Sequence, residues 1–153
     1  MSKIQKILTA PHEEIEKIQI EGIKKTVVNC YENIPFYKKS FDEAGFDPYS
    51  VETIDDLKNA PFVTKQDLRD AYPYGMLAVP MKDVREIHMS SGTTGVATVG
   101  AYTKHDLDIW AECFGRGLLY AGGNEEDIIQ IAYGYGLFTG GLGAHYGSLW
   151  SEA

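Results

Sequence analysis

The residues best suited to chemistry lie in one run, HMSSGTTGVATVGAYT, residues 88–103. Within it, Ser90, Ser91, Gly92, Thr93, Thr94 and Gly95 combine four hydroxyls with two glycines. Glycine admits backbone conformations in which successive N–H groups turn inward around an anion, and the hydroxyls add further donors. A phosphate cradle and a plain strand–turn–strand connection both fit that composition. The Walker template does not fit, because it places Gly-Lys before Ser/Thr and here Val96 follows Gly95. Neither serine stands in a G-x-S-x-G elbow or has a histidine that spacing assigns to it, which argues against a serine nucleophile.

A second constellation is YGYGLFTGG, residues 133–141. It misses the dinucleotide fingerprint, since Thr139 stands where the third glycine belongs. Tyr133, Tyr135 and Phe138 could wall a flat apolar pocket, with Gly140 and Gly141 leaving room for a ring. The same residues also fit a role as core aromatics with glycines at the turns. His145, in Gly-Ala-His-Tyr-Gly, is open to the same two readings. Cys30 and Cys113 form no CxxC pair and read as reduced thiols. Glu125, Glu126 and Asp127 read as a solvated loop, and no metal site is visible.

The elements that must position these residues follow from periodicity and caps. Ile15, Ile18, Ile23, Val27 and Tyr31 have helical spacing over residues 12–32, with Glu13, Glu14 and Glu16 early and Lys24 and Lys25 later, as a helix dipole favours. Asn33-Ile34-Pro35 ends that helix, because the residue before proline avoids the α region. A short helix near 37–44 ends at Gly45. Capping boxes at Thr53/Asp56 and Thr64/Asp67 start two more. The pattern changes near residue 84, where VREIHM alternates as a strand leading into the Ser/Thr/Gly run. A second strand near 97–102 leaves it. Thr103 then caps a helix whose stripe is Leu107, Trp110, Phe114, Leu118 and Ala121, closed by Gly122-Gly123. Residues 127–132, DIIQIA, read as a further strand. The division expected is a helical segment over 1–83 and the start of an α/β subdomain over 84–153, as one continuous unit.

Bulk properties narrow the function classes. A chain of 153 residues with 44% hydrophobic content fits one domain with a real core. A formal charge of −8 argues against nucleic acid or an anionic membrane as partner. The N-terminus is too polar for a signal peptide and no apolar run approaches a membrane span, so a cytoplasmic protein is expected.

HMSSGTTG followed by YT, a helix and IAYGYGLFTGGLGAHYG closely resembles the phenylacetate–CoA ligase family of adenylate-forming, AMP-binding enzymes. The likeness continues upstream through YENIPFYKKSFDEAGFDP, IDDLKNAPFVTKQDLRDAYPYG and AVPMKDVREIH, and so covers residues 14–147. SSGTTG marks the superfamily, whereas AYGYGLFTGGLGAHYG is far more specific to the family. The resemblance implies an α/β fold of which this chain is the N-terminal part. It implies ligation of an aryl acid to coenzyme A through an acyl-adenylate, with ATP and Mg2+ as co-substrate and ion. Ser90 to Gly95 would wrap the phosphates. Tyr135, Phe138, Gly140 and Gly141, with Tyr133 and His145, would line the aryl pocket. The family usually continues SSGTTG with Lys-Pro, where this chain has Val96 and Ala97. Catalytic residues are expected beyond Ala153, so the resemblance also admits a catalytically inactive homologue that binds nucleotide or a partner. Surfaces that the rest of such a fold would cover lead us to expect a homo-oligomer.

Overall fold

The computed structural model describes residues 9–91 and 97–151. These fall into two compact units, divided between Ala78 and Val79.

The first unit is helical. Helix α1 (His12–Asn33) carries Glu13 and Glu14 in its first turn, but no basic residue in its last. Lys24 and Lys25 lie too far from the end to meet the dipole there, because that effect fades beyond the terminal turn. Ile34, extended at φ −120° and ψ 109°, separates α1 from α2 (Pro35–Ala44), and proline occupies the first turn of α2. Gly45 closes α2 at φ 65°, the left-handed region that glycine enters without a Cβ clash. Phe41, Phe46 and Val51 form the core, covered by Ile23, Val27 and Tyr31 of α1. Phe41 and Phe46 meet edge to face, with ring centroids 4.9 Å apart. Both capping boxes form. The one at Thr53 opens a 3-10 helix (Ile54–Asn59) and the one at Thr64 opens α3 (Lys65–Asp70).

The second unit begins with a 3-10 turn (Met81–Asp83) and an antiparallel pair, β1 (Val84–Met89) and β2 (Val99–Thr103). A bulge lies between Val84 and Glu86, after which His88 pairs with Gly100 and Met89 with Val99. Thr103 and Asp106 form a capping box that starts α4 (Lys104–Tyr120), and Gly122 follows with φ 100°. Helix α5 spans Thr139–Ser151.

Helices α4 and α5 pack through glycine. A Cβ on Gly143 would lie 2.8 Å from the Trp110 indole, and one on Gly147 would lie 2.4 Å from the Phe114 ring. In return, a Cβ on Gly115 would meet Trp150 at 2.4 Å. These pairs run in the same order along both helices, so α4 and α5 are parallel, and residues 121–138 return the chain between them. That return includes 127–132, which form no strand, contrary to the sequence reading. A strand needs a neighbour for its N–H and C=O groups. None of the described residues supplies one, and Ile128 is 98% exposed. No helix among the described residues is long and apolar enough to cross a membrane.

Candidate functional site

The second unit brings the start of the Ser/Thr/Gly run and the aromatic segment together. Ser90 stands one residue past β1, half-buried, and Ser91 is exposed. The Ser90 N–H donates to the Thr98 carbonyl at 3.0 Å, and the Thr98 N–H donates to Ser90 Oγ at 2.9 Å. These bonds join Ser90 to Thr98, and the Ser90 hydroxyl is engaged by the second of them. Gly92, Thr93, Thr94 and Gly95, and Val96 after them, lie outside the described residues.

The aromatic segment reaches β1 directly, since the Met89 N–H donates to the Leu137 carbonyl at 2.8 Å. Tyr133, Tyr135 and Phe138 are 62%, 56% and 56% exposed, so they are not core side chains. Gly140 lies against Tyr133 and Phe138, where a Cβ would come within 3.1 Å and 3.4 Å of their rings. Gly141 is buried, and a Cβ there would stand 3.0 Å from the Gly134 carbonyl oxygen. The structure therefore groups Tyr133, Phe138 and Gly140, with Gly141 setting the backbone approach. His145 lies on α5, where its Nδ1 and the Tyr135 hydroxyl are 3.2 Å apart. Their rings meet edge to face at 5.9 Å.

Beneath these groups lies a buried polar network that the sequence reading did not single out. His88 is 2% exposed, with Nδ1 3.1 Å from the Leu137 carbonyl oxygen and Nε2 2.8 Å from Glu86 Oε1. Tyr146 donates its hydroxyl to Glu86 Oε2 at 3.0 Å. Burial first, and then the Glu86 carboxylate, push the Tyr146 phenol above its ordinary range. The His88 ring meets Tyr102 and Trp110 edge to face at 5.5 Å and 5.3 Å. The sequence signal was period two along β1, which puts Glu86 and His88 on one face. It does not reveal that α4 and α5 cover that face.

Among the described residues, no group of three or more His, Cys, Asp and Glu side chains is placed to hold a metal ion. An open groove of about 560 Å³ belongs to the first unit, lined in part by Ile18, Ile23, Val27 and Leu57. It contains none of the candidate residues.

This architecture is shared with solved acyl-CoA ligases. The chain matches 2-hydroxyisobutyryl-CoA ligase in its post-adenylation state with 2-HIB-AMP, at TM-score 0.84 and 26% identity, over 94% of this chain and 31% of that one. It matches the same ligase with 2-HIB-AMP and CoA in the thioesterification state at TM-score 0.83 and 28% identity, again over 94% and 31%. The fold is thus the N-terminal part of an adenylate-forming CoA ligase. In sequence the chain is 50% identical over 147 residues to phenylacetate–coenzyme A ligase of Escherichia coli strain K12, covering 96% of this chain and 34% of that protein. It is 48% identical over 145 residues to the Aromatoleum evansii enzyme of the same name, covering 95% and 33%. Its sequence is thus similar to phenylacetate–coenzyme A ligases, and it spans about a third of the length of these relatives. No protein-family model matches it.

Proposed function

We propose that this chain contributes the phosphate loop and the acid-binding segment of an ATP-dependent ligase that joins phenylacetate, or a related aryl acid, to coenzyme A. The observation that supports this reading is the Met89–Leu137 hydrogen bond, which ties the end of β1, one residue before Ser90, to the exposed aromatic segment. In the reaction, the substrate carboxylate attacks the α-phosphorus of ATP and pyrophosphate leaves. The coenzyme A thiol then attacks the acyl carbon of the adenylate, loses its proton and displaces AMP. Phosphoryl transfer of this kind depends chiefly on charge stabilisation, which donors at Ser90 to Gly95 would supply. Mg2+ would neutralise phosphate charge, with acidic ligands outside the described residues.

Tyr135, Phe138, Gly140 and Gly141 would line the aryl site, with Tyr133 at its edge. Aromatic edges and faces suit a flat phenyl ring. His145, tied to Tyr135, would hold that wall in place. The same reading makes the 153 residues alone insufficient for thioester formation, because the family's catalytic residues are expected elsewhere. We also infer that the chain associates with copies of itself through its uncovered apolar side chains.

The test is a thermal shift of the chain with Mg·ATP and, separately, with phenylacetate. A ligand that binds only the folded state stabilises it by about 2.7 kcal/mol at 100 times its Kd. Both ligands are expected to raise the melting temperature. No shift with ATP would overturn the phosphate-loop assignment. Phenylacetyl-CoA made by this chain alone would overturn the insufficiency.

A further inference from the structure

The Leu137 carbonyl accepts two hydrogen bonds, from the Met89 N–H at 2.8 Å and from the His88 ring at 3.1 Å. A carbonyl only accepts, so His88 Nδ1 carries a proton. Nε2 stands 2.8 Å from Glu86 Oε1. The other Glu86 oxygen is occupied by the Tyr146 hydroxyl, and Tyr102 and Trp110 close on the faces and edges of the imidazole. The ring therefore cannot turn without breaking a bond at each end. It stands two residues before Ser90, and the carbonyl it holds lies between Tyr135 and Phe138.

We propose that His88 is a positioning residue: its Nδ1–H fixes the Leu137 carbonyl, and with it the 133–138 aromatic segment, to the root of the 90–95 loop. One buried ring, two residues before Ser90, thereby holds the aromatic segment to the end of β1. Glu86 keeps that ring oriented and, through Tyr146, ties it to α5. The consequence for ligands rests on the ligase reading above, whereas the clamp itself does not.

Nitrogen-15 NMR of histidine-labelled full chain reads the tautomer without any substitution. A directly bonded proton on His88 Nδ1 is expected, and a lone pair there overturns the clamp. Two variants then separate the ends of the ring. His88→Asn keeps a donor near the Nδ1 position, and His88→Gln keeps one near Nε2. Amide exchange at Met89 and residues 135–138 is expected to stay within about threefold of wild type in the Asn variant and to rise at least about tenfold in the Gln variant. Equal exchange in the two variants overturns the proposal.

Affinity for phenylacetate is expected to follow, retained in the Asn variant and about tenfold weaker in the Gln variant. A loosened segment with unchanged affinity overturns the positioning role. Wild-type chain that shows the expected tautomer and exchange but binds neither phenylacetate nor Mg·ATP overturns the ligase reading and leaves the clamp standing. Should His88→Gln fail to fold, the wild-type tautomer still decides.

Discussion

At the scale of single residues, charge and donor geometry govern the site. The resemblance puts Val96 where a lysine is usual, and under the proposed phosphate-loop reading an ammonium there would act on phosphate as a mobile point charge. One hydrogen bond to a charged group contributes about 1.5–3 kcal/mol, which corresponds to tenfold or more in affinity. Val96→Lys is therefore expected to tighten Mg·ATP binding by about tenfold, as measured by calorimetry. No change would mean that the position does not reach phosphate. The sequence made this residue conspicuous by its neighbours. His88 was inconspicuous because the carbonyl it holds, that of Leu137, lies 49 positions away along the chain.

Caps and close packing act at the scale of elements. The Asp56 and Asp67 carboxyls lie below their ordinary range, Asp56 chiefly through backbone N–H donors from Glu52 and Thr53, and Asp67 chiefly through the Thr64 hydroxyl. A carboxyl lowered in the folded state stabilises folding above its unfolded value and loses that contribution as pH falls through the folded value. Both caps are thus intact near neutrality and weaken below about pH 4. Circular dichroism is expected to show helicity falling below that pH, with a shallower fall in Asp67→Asn. A variant as steep as wild type would count against the cap at Thr64.

Between α4 and α5, glycine marks where an aromatic ring arrives. Gly147→Ala would force its Cβ to 2.4 Å from Phe114, and overpacking of this kind costs about 1–3 kcal/mol. The double variant with Phe114→Ala is expected to recover part of that loss, and strict additivity would refute the contact. A Cβ on Gly117 of α4 would meet nothing within 4 Å, so Gly117→Ala is expected to stabilise by about 0.5–1 kcal/mol. Both effects are read from urea midpoints.

For the molecule as a whole, the exposed apolar side chains matter most. Phe62, Ile128 and Tyr120 are 94%, 98% and 83% exposed, and Tyr133, Leu137 and Phe138 add to the apolar surface. Exposed apolar area of this sort favours association. Light scattering is expected to show a mass that rises with concentration, and a monodisperse monomer throughout would refute it.

Features set by near neighbours were legible in the sequence: the stop at Ile34-Pro35, the left-handed Gly45, three capping boxes and strand β1. Each depends on a torsion preference or on a hydrogen bond spanning three or four residues, which the local residue types dictate. Relationships across the fold were not legible. Composition left Tyr133, Tyr135 and Phe138 open between core and pocket wall, and the packing of α5 leaves them exposed. DIIQIA had the composition of a strand, but strand formation requires a partner that composition does not name. Which glycine admits which ring, and the closing of α4 and α5 over Glu86 and His88, were decided by the tertiary structure alone. Those contacts join distant parts of the chain, and their free energy comes from cooperative burial rather than from any local preference.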